Sequence, residues 1–235
     1  MQLSEAVKNA ARTLAKGEFV ILYDGKGREN EADMLLLAEK ATPGKVRTMR
    51  KDAGGLICVS VGQAHARRMK LRFATQMLEE CKIPLLSRMG RKKMPYGDMP
   101  AFSISINHLS TFTGISDIDR AKTIREFGKL AKRNGTARDL KKSFRAIGHV
   151  FLLIGRGLEK RRGHTELSLA LAHAGGMDLP VALCEMLSDT GRAASREEAR
   201  AYAERHGIPF LEGKELLAAI RSGGANGMAH ECGLC

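Results

Sequence analysis

The chain has no tryptophan, and only 5% of its 235 residues are aromatic. Proteins that hold single-stranded nucleic acid rely on aromatic stacking platforms, and no such motif interrupts the basic segments. Proline is also scarce, at six residues, and neither a Pro/Ser-rich linker nor a repeat period divides the chain. No apolar run approaches the length of a membrane-spanning helix, and the N-terminus lacks a signal-peptide pattern. A cytoplasmic location with no membrane partner is therefore expected. The five cysteines are odd in number and scattered, which argues against a disulfide framework.

Positive charge, by contrast, is abundant: 39 basic against 26 acidic residues, a formal net charge of +13. Much of it lies between Arg120 and Arg162. Such a surplus suits a nucleic-acid surface, a basic rim around an anionic small-molecule site, or a solvated helical face. Hydrophobic and charged fractions of 43% and 28% are those of an ordinary soluble globular protein.

Helices and strands intermingle without the regular beat of a barrel or a Rossmann repeat. Helical spacing predicts helices over 4–16, 42–49, most of 63–78, from Ser116 or Asp117 through Ala131, through Ala174, over 195–206 and over 213–220. Strands are expected at 19–23, 31–39, 56–61, 102–106, 150–154, 181–184 and 208–210. Residues 79–100, with Pro84, Pro95 and Pro100 among many charges, read as a mobile connection. The expected fold is one α+β domain over 1–222, an α/β-like three-layer arrangement of a mixed sheet flanked by helices, followed by a flexible tail at 223–235. That tail carries His230, Cys232 and Cys235, a weak metal motif.

The densest chemistry lies between Asp24 and Asp33. The apolar run Phe19 to Tyr23 ends, Gly25 and Gly27 turn the chain, and Arg28, Glu29, Glu31 and Asp33 crowd together before Met34. Acidic and basic groups at a strand end can bind a cation and an anionic substrate at once; they can also simply pair with each other. Arg161, Arg162, Gly163, His164 and Thr165 follow a strand and open a helix, where backbone N–H groups and the Thr165 hydroxyl can hold a phosphate. His164 reads either as a metal ligand or as a helix-start hydrogen-bonding residue. Glu185 ends an apolar strand, where a half-buried carboxylate with a raised pKa suits proton transfer; an ion pair with an arginine is the alternative. His149, beside Gly148, is equally open.

Taken together and in this order, these segments closely resemble the 3,4-dihydroxy-2-butanone 4-phosphate synthase family of riboflavin biosynthesis, in its single-domain archaeal-like form. The resemblance runs from about Glu5 to Ile220 and also includes Asp52 to Cys58, Ser110 to Arg120 and Gly148 to Phe151. It implies a lyase that converts D-ribulose 5-phosphate to 3,4-dihydroxy-2-butanone 4-phosphate and formate. It implies Mg²⁺, with Mn²⁺ as the alternative, on Glu29 and His164. It assigns Glu185 and His149 to catalysis, and Arg28, Glu29, Asp33, Glu185 and Arg161 to Thr165 to substrate. Asp24, Glu31, Cys58 and Thr113 match active-site neighbours. The resemblance further implies a homodimer with shared active sites, His149 coming from the partner. A nucleotide- or RNA-binding protein of related fold is the alternative, carried by the basic segment 120–162.

Overall fold

The apolar run before Asp24 forms strand β1 (Val20–Tyr23), entirely buried, and it pairs antiparallel with β2 (Ala32–Leu37). Residues 3–222 are described in this computed structural model; the 223–235 tail, with its His230, Cys232 and Cys235, lies outside them. Helix α1 (Glu5–Lys16) precedes β1, capped by the Ser4 side chain and closed by Gly17 in the left-handed region. After β2 come a 3₁₀ turn (Ala38–Lys40), α2 (Pro43–Thr48) and a π-helical turn (Met49–Ala53). Then follow β3 (Cys58–Val61), α3 (Gln63–Arg68), α4 (Ala74–Glu80), α5 (Pro84–Gly90) and β4 (Phe102–His108). Next are α6 (Asp117–Lys132), α7 (Ala137–Ser143) and β5 (Phe144–Ile154). Helix α8 (His164–Ala174), β6 (Val181–Glu185), α9 (Arg196–His206), β7 (Phe210–Glu212) and α10 (Gly213–Ser222) complete the described chain.

The seven strands form one sheet in the order β4-β5-β3-β6-β2-β1-β7. It is mixed, since β3 with β5 and β1 with β7 run parallel and the other neighbours antiparallel. Successive side chains of a strand face opposite ways, so each central strand feeds two cores. Ile21, Met34, Leu36 and Val59 pack on one face with Ile124, Phe127 and Leu130 of α6. Val20, Leu22, Leu35 and Leu183 pack on the other with α1 and with Leu167 and Leu171 of α8. Helices cover both faces, the α+β three-layer arrangement expected. No described helix is long and apolar enough to cross a membrane.

Several boundaries differ from the expectation. The helix expected over most of 63–78 is two helices, because Lys70 adopts φ 56° and breaks the run. Strand β5 begins at Phe144 rather than 150, as its first half is largely exposed and lacks an apolar signal. Helix α7 buries no residue, so no apolar stripe marks it. The last short strand lies at 210–212, not 208–210. Residues 79–100 are a helix and a hydrogen-bonded loop: Met94 N–H donates to the Asp98 carbonyl at 2.8 Å and Gly97 N–H to that of Met94 at 2.8 Å.

Candidate active site and metal centre

The β1–β2 hairpin presents its loop to one end of the sheet, and Asp24 organises it. Its buried carboxylate accepts from the backbone N–H of Glu29 (3.0 Å) and of Glu31 (3.2 Å). Antiparallel register between β2 and β6 then sets Asp33 opposite Glu185. Helix α8 starts in the same place. Its first amides, at His164 and Thr165, have no intrahelical acceptor and supply a positive helix end. These elements enclose a cavity of about 400 Å³, lined by Arg28, Glu29, Glu31, Asp33, Cys58, Tyr96, Arg161, His164, Thr165 and Glu185, among others.

His164 is buried, with Nε2 3.1 Å from the Glu31 carbonyl and Nδ1 3.4 Å from Glu29 Oε2 and 3.6 Å from Asp33 Oδ1. The carbonyl can only accept, so Nε2 carries a proton, and in the neutral ring Nδ1 offers its lone pair to the carboxylates' side. One ligand atom each from Asp24, Glu29 and His164 lies within 4.8 Å of the others. Two carboxylates and an imidazole form a donor set that suits a hard divalent cation.

Electrostatics point the same way. Burial, reinforced by Glu185, Glu29 and Glu31, raises the Asp33 pKa to about 8. Burial acts against the charge on His164, but Asp33, Glu29 and Asp24 overcome it and push its pKa up to about 10. Burial also raises the Glu31 pKa. Glu29 is lowered to about 2, because hydrogen bonds from His164 and Tyr96 and the charge of Arg161 outweigh its own burial. A pocket this rich in carboxylates takes up protons when it has no cation to neutralise it.

Several polar atoms here are buried without a hydrogen bond: Arg28 Nε and Nη2, Asp33 Oδ1 and Arg161 Nε. Unmet donors and acceptors in a cavity are costly unless a ligand satisfies them. Arg161 is otherwise well held, with Nη1 donating to Glu166 Oε2 at 2.8 Å and Nη2 to Glu29 Oε1 at 3.2 Å. Gly163 makes this possible, since a Cβ there would meet the Arg161 guanidinium at 2.5 Å. Cys58 forms wall rather than nucleophile, because burial, Glu185 and Asp33 hold its thiol pKa well above the usual value.

Glu185 Oε2 accepts from the Leu56 N–H at 2.8 Å. Gly55 passes so close that an added Cβ would sit 2.6 Å from that same oxygen and from the Glu185 carbonyl. Gly55→Ala is therefore expected to displace the carboxylate and cut turnover at least about tenfold, a misplacement effect, and to lower the melting temperature as well, because the backbone carbonyl cannot swing away. Steady-state kinetics with a thermal melt checks this; unchanged turnover would show that the carboxylate's position is not critical.

Three candidates are not brought to this cavity. Arg162 is exposed and its Nε donates to the Leu158 carbonyl at 3.3 Å, so the residue next to Arg161 faces a different direction. His149 and Thr113 meet each other elsewhere, through Asn107: its Nδ2 lies 3.1 Å from His149 Nδ1 and donates to the Thr113 carbonyl at 3.2 Å. Conversely, Tyr96, Asp98 and Glu166 belong to the site without having been singled out. Tyr96 O–H donates to Glu29 Oε1 at 2.6 Å, and Asp98 pairs with Arg28 and stands 3.6 Å from Arg161 Nε. Asp98 is the only acidic residue between Glu80 and Asp117, and that isolation was the signal for it. The basic segment 120–162, which carried the RNA-binding alternative, is partly engaged in ion pairs such as Arg120–Asp117, Lys129–Glu126 and Lys132–Glu39.

A carboxylate–imidazole cluster able to hold a divalent cation, beside buried arginine donors on a mixed three-layer sheet, is an arrangement suited to metal-assisted chemistry on a small anionic molecule. The chain belongs to the 3,4-dihydroxy-2-butanone 4-phosphate synthase family, whose family model matches residues 8–219. It is 39% identical to the 3,4-dihydroxy-2-butanone 4-phosphate synthase of Methanothermobacter thermautotrophicus, over 92% of this chain and 96% of that one. It is also 39% identical to the synthase of Methanosarcina acetivorans, over 92% of this chain and 91% of that one. A crystal structure of a 3,4-dihydroxy-2-butanone 4-phosphate synthase in complex with two magnesium ions aligns with TM-score 0.72 and 27% identity, covering 93% of this chain and 98% of that one.

Proposed function

We propose that the protein, a cytoplasmic enzyme of riboflavin biosynthesis with residues 1–222 as its catalytic domain, converts D-ribulose 5-phosphate to 3,4-dihydroxy-2-butanone 4-phosphate and formate. The observation that carries this reading is the meeting, in one cavity, of Glu29, Asp33, His164 and Glu185 with donors of Arg28 and Arg161 that lack a hydrogen bond. Incubation with ribulose 5-phosphate and Mg²⁺ should yield equimolar formate and a phosphorylated four-carbon ketone by NMR. Absence of both products would overturn it.

The substrate's phosphate is received by the first amides and Thr165 hydroxyl of α8, where the helix end favours an anion. Arg28 and Arg161 add charge-assisted contacts through the nitrogens that otherwise lack a hydrogen bond. Held at that end, a flexible open-chain sugar is presented to the carboxylates in a restricted set of conformations. Glu185, fixed through Oε2 by Leu56, uses Oε1 to take a proton beside the ketone and return it later. Asp33, buried beside Glu185 in the cavity wall, can hydrogen-bond a sugar hydroxyl. Tyr96 and Asp98 cover the site and limit access of water. A divalent cation on Asp24, Glu29 and His164, Mg²⁺ or Mn²⁺, would supply Lewis-acid stabilisation of negative charge on substrate oxygens.

Cation binding should be linked to protons. His164 and Asp33 both hold protons above their ordinary ranges, so the metal-free pocket binds more protons than the loaded one. Affinity for Mg²⁺ must then rise with pH across neutrality, and binding must release protons. Calorimetry in buffers of different ionisation enthalpy measures the release; a value of zero at pH 7 would contradict the assignment.

The working unit is a homodimer with composite sites. Phe112 and Ile147 are 92% and 87% exposed, with Ile115 and Ile118 also open to solvent. Asn107 ties the Thr113 and His149 segments together, so these apolar side chains belong to one region, the kind of patch that marks an interface. Buried there, His149 and Thr113 would reach the partner's cavity. Mixing Glu29→Gln with His149→Ala chains gives about half mixed dimers, each with one intact site, so roughly a quarter of wild-type activity should return. No recovery, with mixed dimers verified by mass, would defeat sharing.

A further inference from the structure

A second cavity, of about 280 Å³, lies beyond the end of β5, between α3, α4 and the segment after Ile154. Its charged lining is entirely cationic, Arg67, Arg72, Arg156 and Lys160, with Gln63 and Gln76 as neutral polar neighbours. In the described residues neither Arg156 nor Lys160 forms an ion pair; Arg67 donates only to neutral Gln63, at 3.2 Å, and Arg72 is paired with Glu80. Like charges crowded with too few anions repel one another, and Arg156 is half-buried, where water compensates less. Burial, only partly offset by Glu166, lowers its pKa from the usual arginine value.

Arg156 is also fixed in place. Its Cζ stacks 3.7 Å from the Phe73 ring centre, Nη2 donates to the Pro100 carbonyl at 3.1 Å, and its backbone N–H donates to Glu166 Oε1 at 2.9 Å. A guanidinium stacked on an aromatic face and anchored at one nitrogen leaves its remaining donors pre-organised for an oxyanion. The cavity is slightly smaller than those that take drug-sized ligands, about 300–1,000 Å³, so it suits a small anion rather than a nucleotide.

We propose that this cavity is a binding site for a phosphate group, inorganic or carried on a small ester, distinct from the cavity that holds Glu29 and His164. The two are connected. Glu166 accepts from Arg156 on one oxygen and from Arg161 on the other, and Arg161 continues to Glu29. Pro100, the acceptor of Arg156 Nη2, lines the catalytic cavity. An anion on the remaining donors of Arg156 therefore sits one hydrogen bond away from the wall of the first site. The proposal rests on this cavity and not on which substrate the first one takes.

The test is calorimetric titration of the full chain with inorganic phosphate, and separately with glycerol phosphate, at constant ionic strength set with chloride. Wild type should show a phosphate-binding event at this cavity, with or without a second one at the cavity that holds Glu29 and His164. An Arg67→Ala/Lys160→Ala double variant should lose one event or weaken it at least about tenfold, as loss of two charge-assisted contacts requires. Gln76→Glu, which places a carboxylate among the cations and removes no packing, should do the same and serves if the double variant fails to fold. Tighter binding of the ester at the event these variants remove assigns the site to a phosphorylated metabolite; equal or weaker binding assigns it to free phosphate. Isotherms unchanged by Gln76→Glu would overturn the proposal; a single wild-type event that Gln76→Glu abolishes places the phosphate at this cavity.

Discussion

Glu29→Gln is expected to fold and to lose at least about a hundredfold in formate release, together with most Mg²⁺ affinity. The estimate is a lower bound, because loss of even an outer partner of a metal ligand costs about 10–100-fold. Folding should survive, since Arg161, left without the Glu29 charge, keeps Glu166 at 2.8 Å and so is not an uncompensated buried cation. Glutamine also retains an oxygen for the Tyr96 hydroxyl. The stability effect has a definite sign. Glu29 has its pKa lowered in the fold from 4.5 to about 2, so its contribution is present above the unfolded value and is lost as pH falls toward 2. The variant's melting temperature should therefore lie slightly below wild type at pH 7 and converge with it in acid. Near-normal turnover would remove Glu29 from the cation site.

Glu185→Gln is expected to bind substrate nearly as well as wild type while kcat falls by about 10²- to 10⁴-fold, the range for losing a general acid–base group. The amide oxygen can still accept from the Leu56 N–H, so the geometry around Gly55 is kept. What disappears is a group able to take and return a proton. Loss in kcat with KM little changed is the signature of an interaction made in the reaction rather than in binding. A variant that instead loses affinity and retains its maximal rate would make Glu185 a binding residue.

The elements best legible in the sequence were those with a local signal. The unbroken run from Phe19 to Tyr23 reads as a buried strand because β1 is covered on both faces. Ser4 and Ser116 mark helix starts because their side chains accept from the third residue beyond. The candidate site was legible as a set of residue types, with Asp24 to Asp33, Arg161 to Thr165 and Glu185 each at the end of an element. Their convergence was not, since the opposition of Asp33 and Glu185 follows from β2 lying beside β6, a long-range pairing without local trace. Tyr96 and Asp98 were hidden in a segment whose prolines and charges resemble a linker, although the same residues reach Glu29, Arg28 and Arg161. His149 and Thr113 could be matched to a family pattern, but the fold gathers them around Asn107, away from the cavity of Glu29 and His164, and no residue spacing encodes that separation.

The central claim is that this cavity acts on ribulose 5-phosphate through a cation held by Asp24, Glu29 and His164. Formate release from ribulose 5-phosphate, measured on protein treated with a chelator and then resupplied with Mg²⁺, tests it most directly. The account predicts release abolished by the chelator and restored by Mg²⁺ in wild type, and no restoration in Glu29→Gln. Release that continues undiminished in the chelator would contradict it.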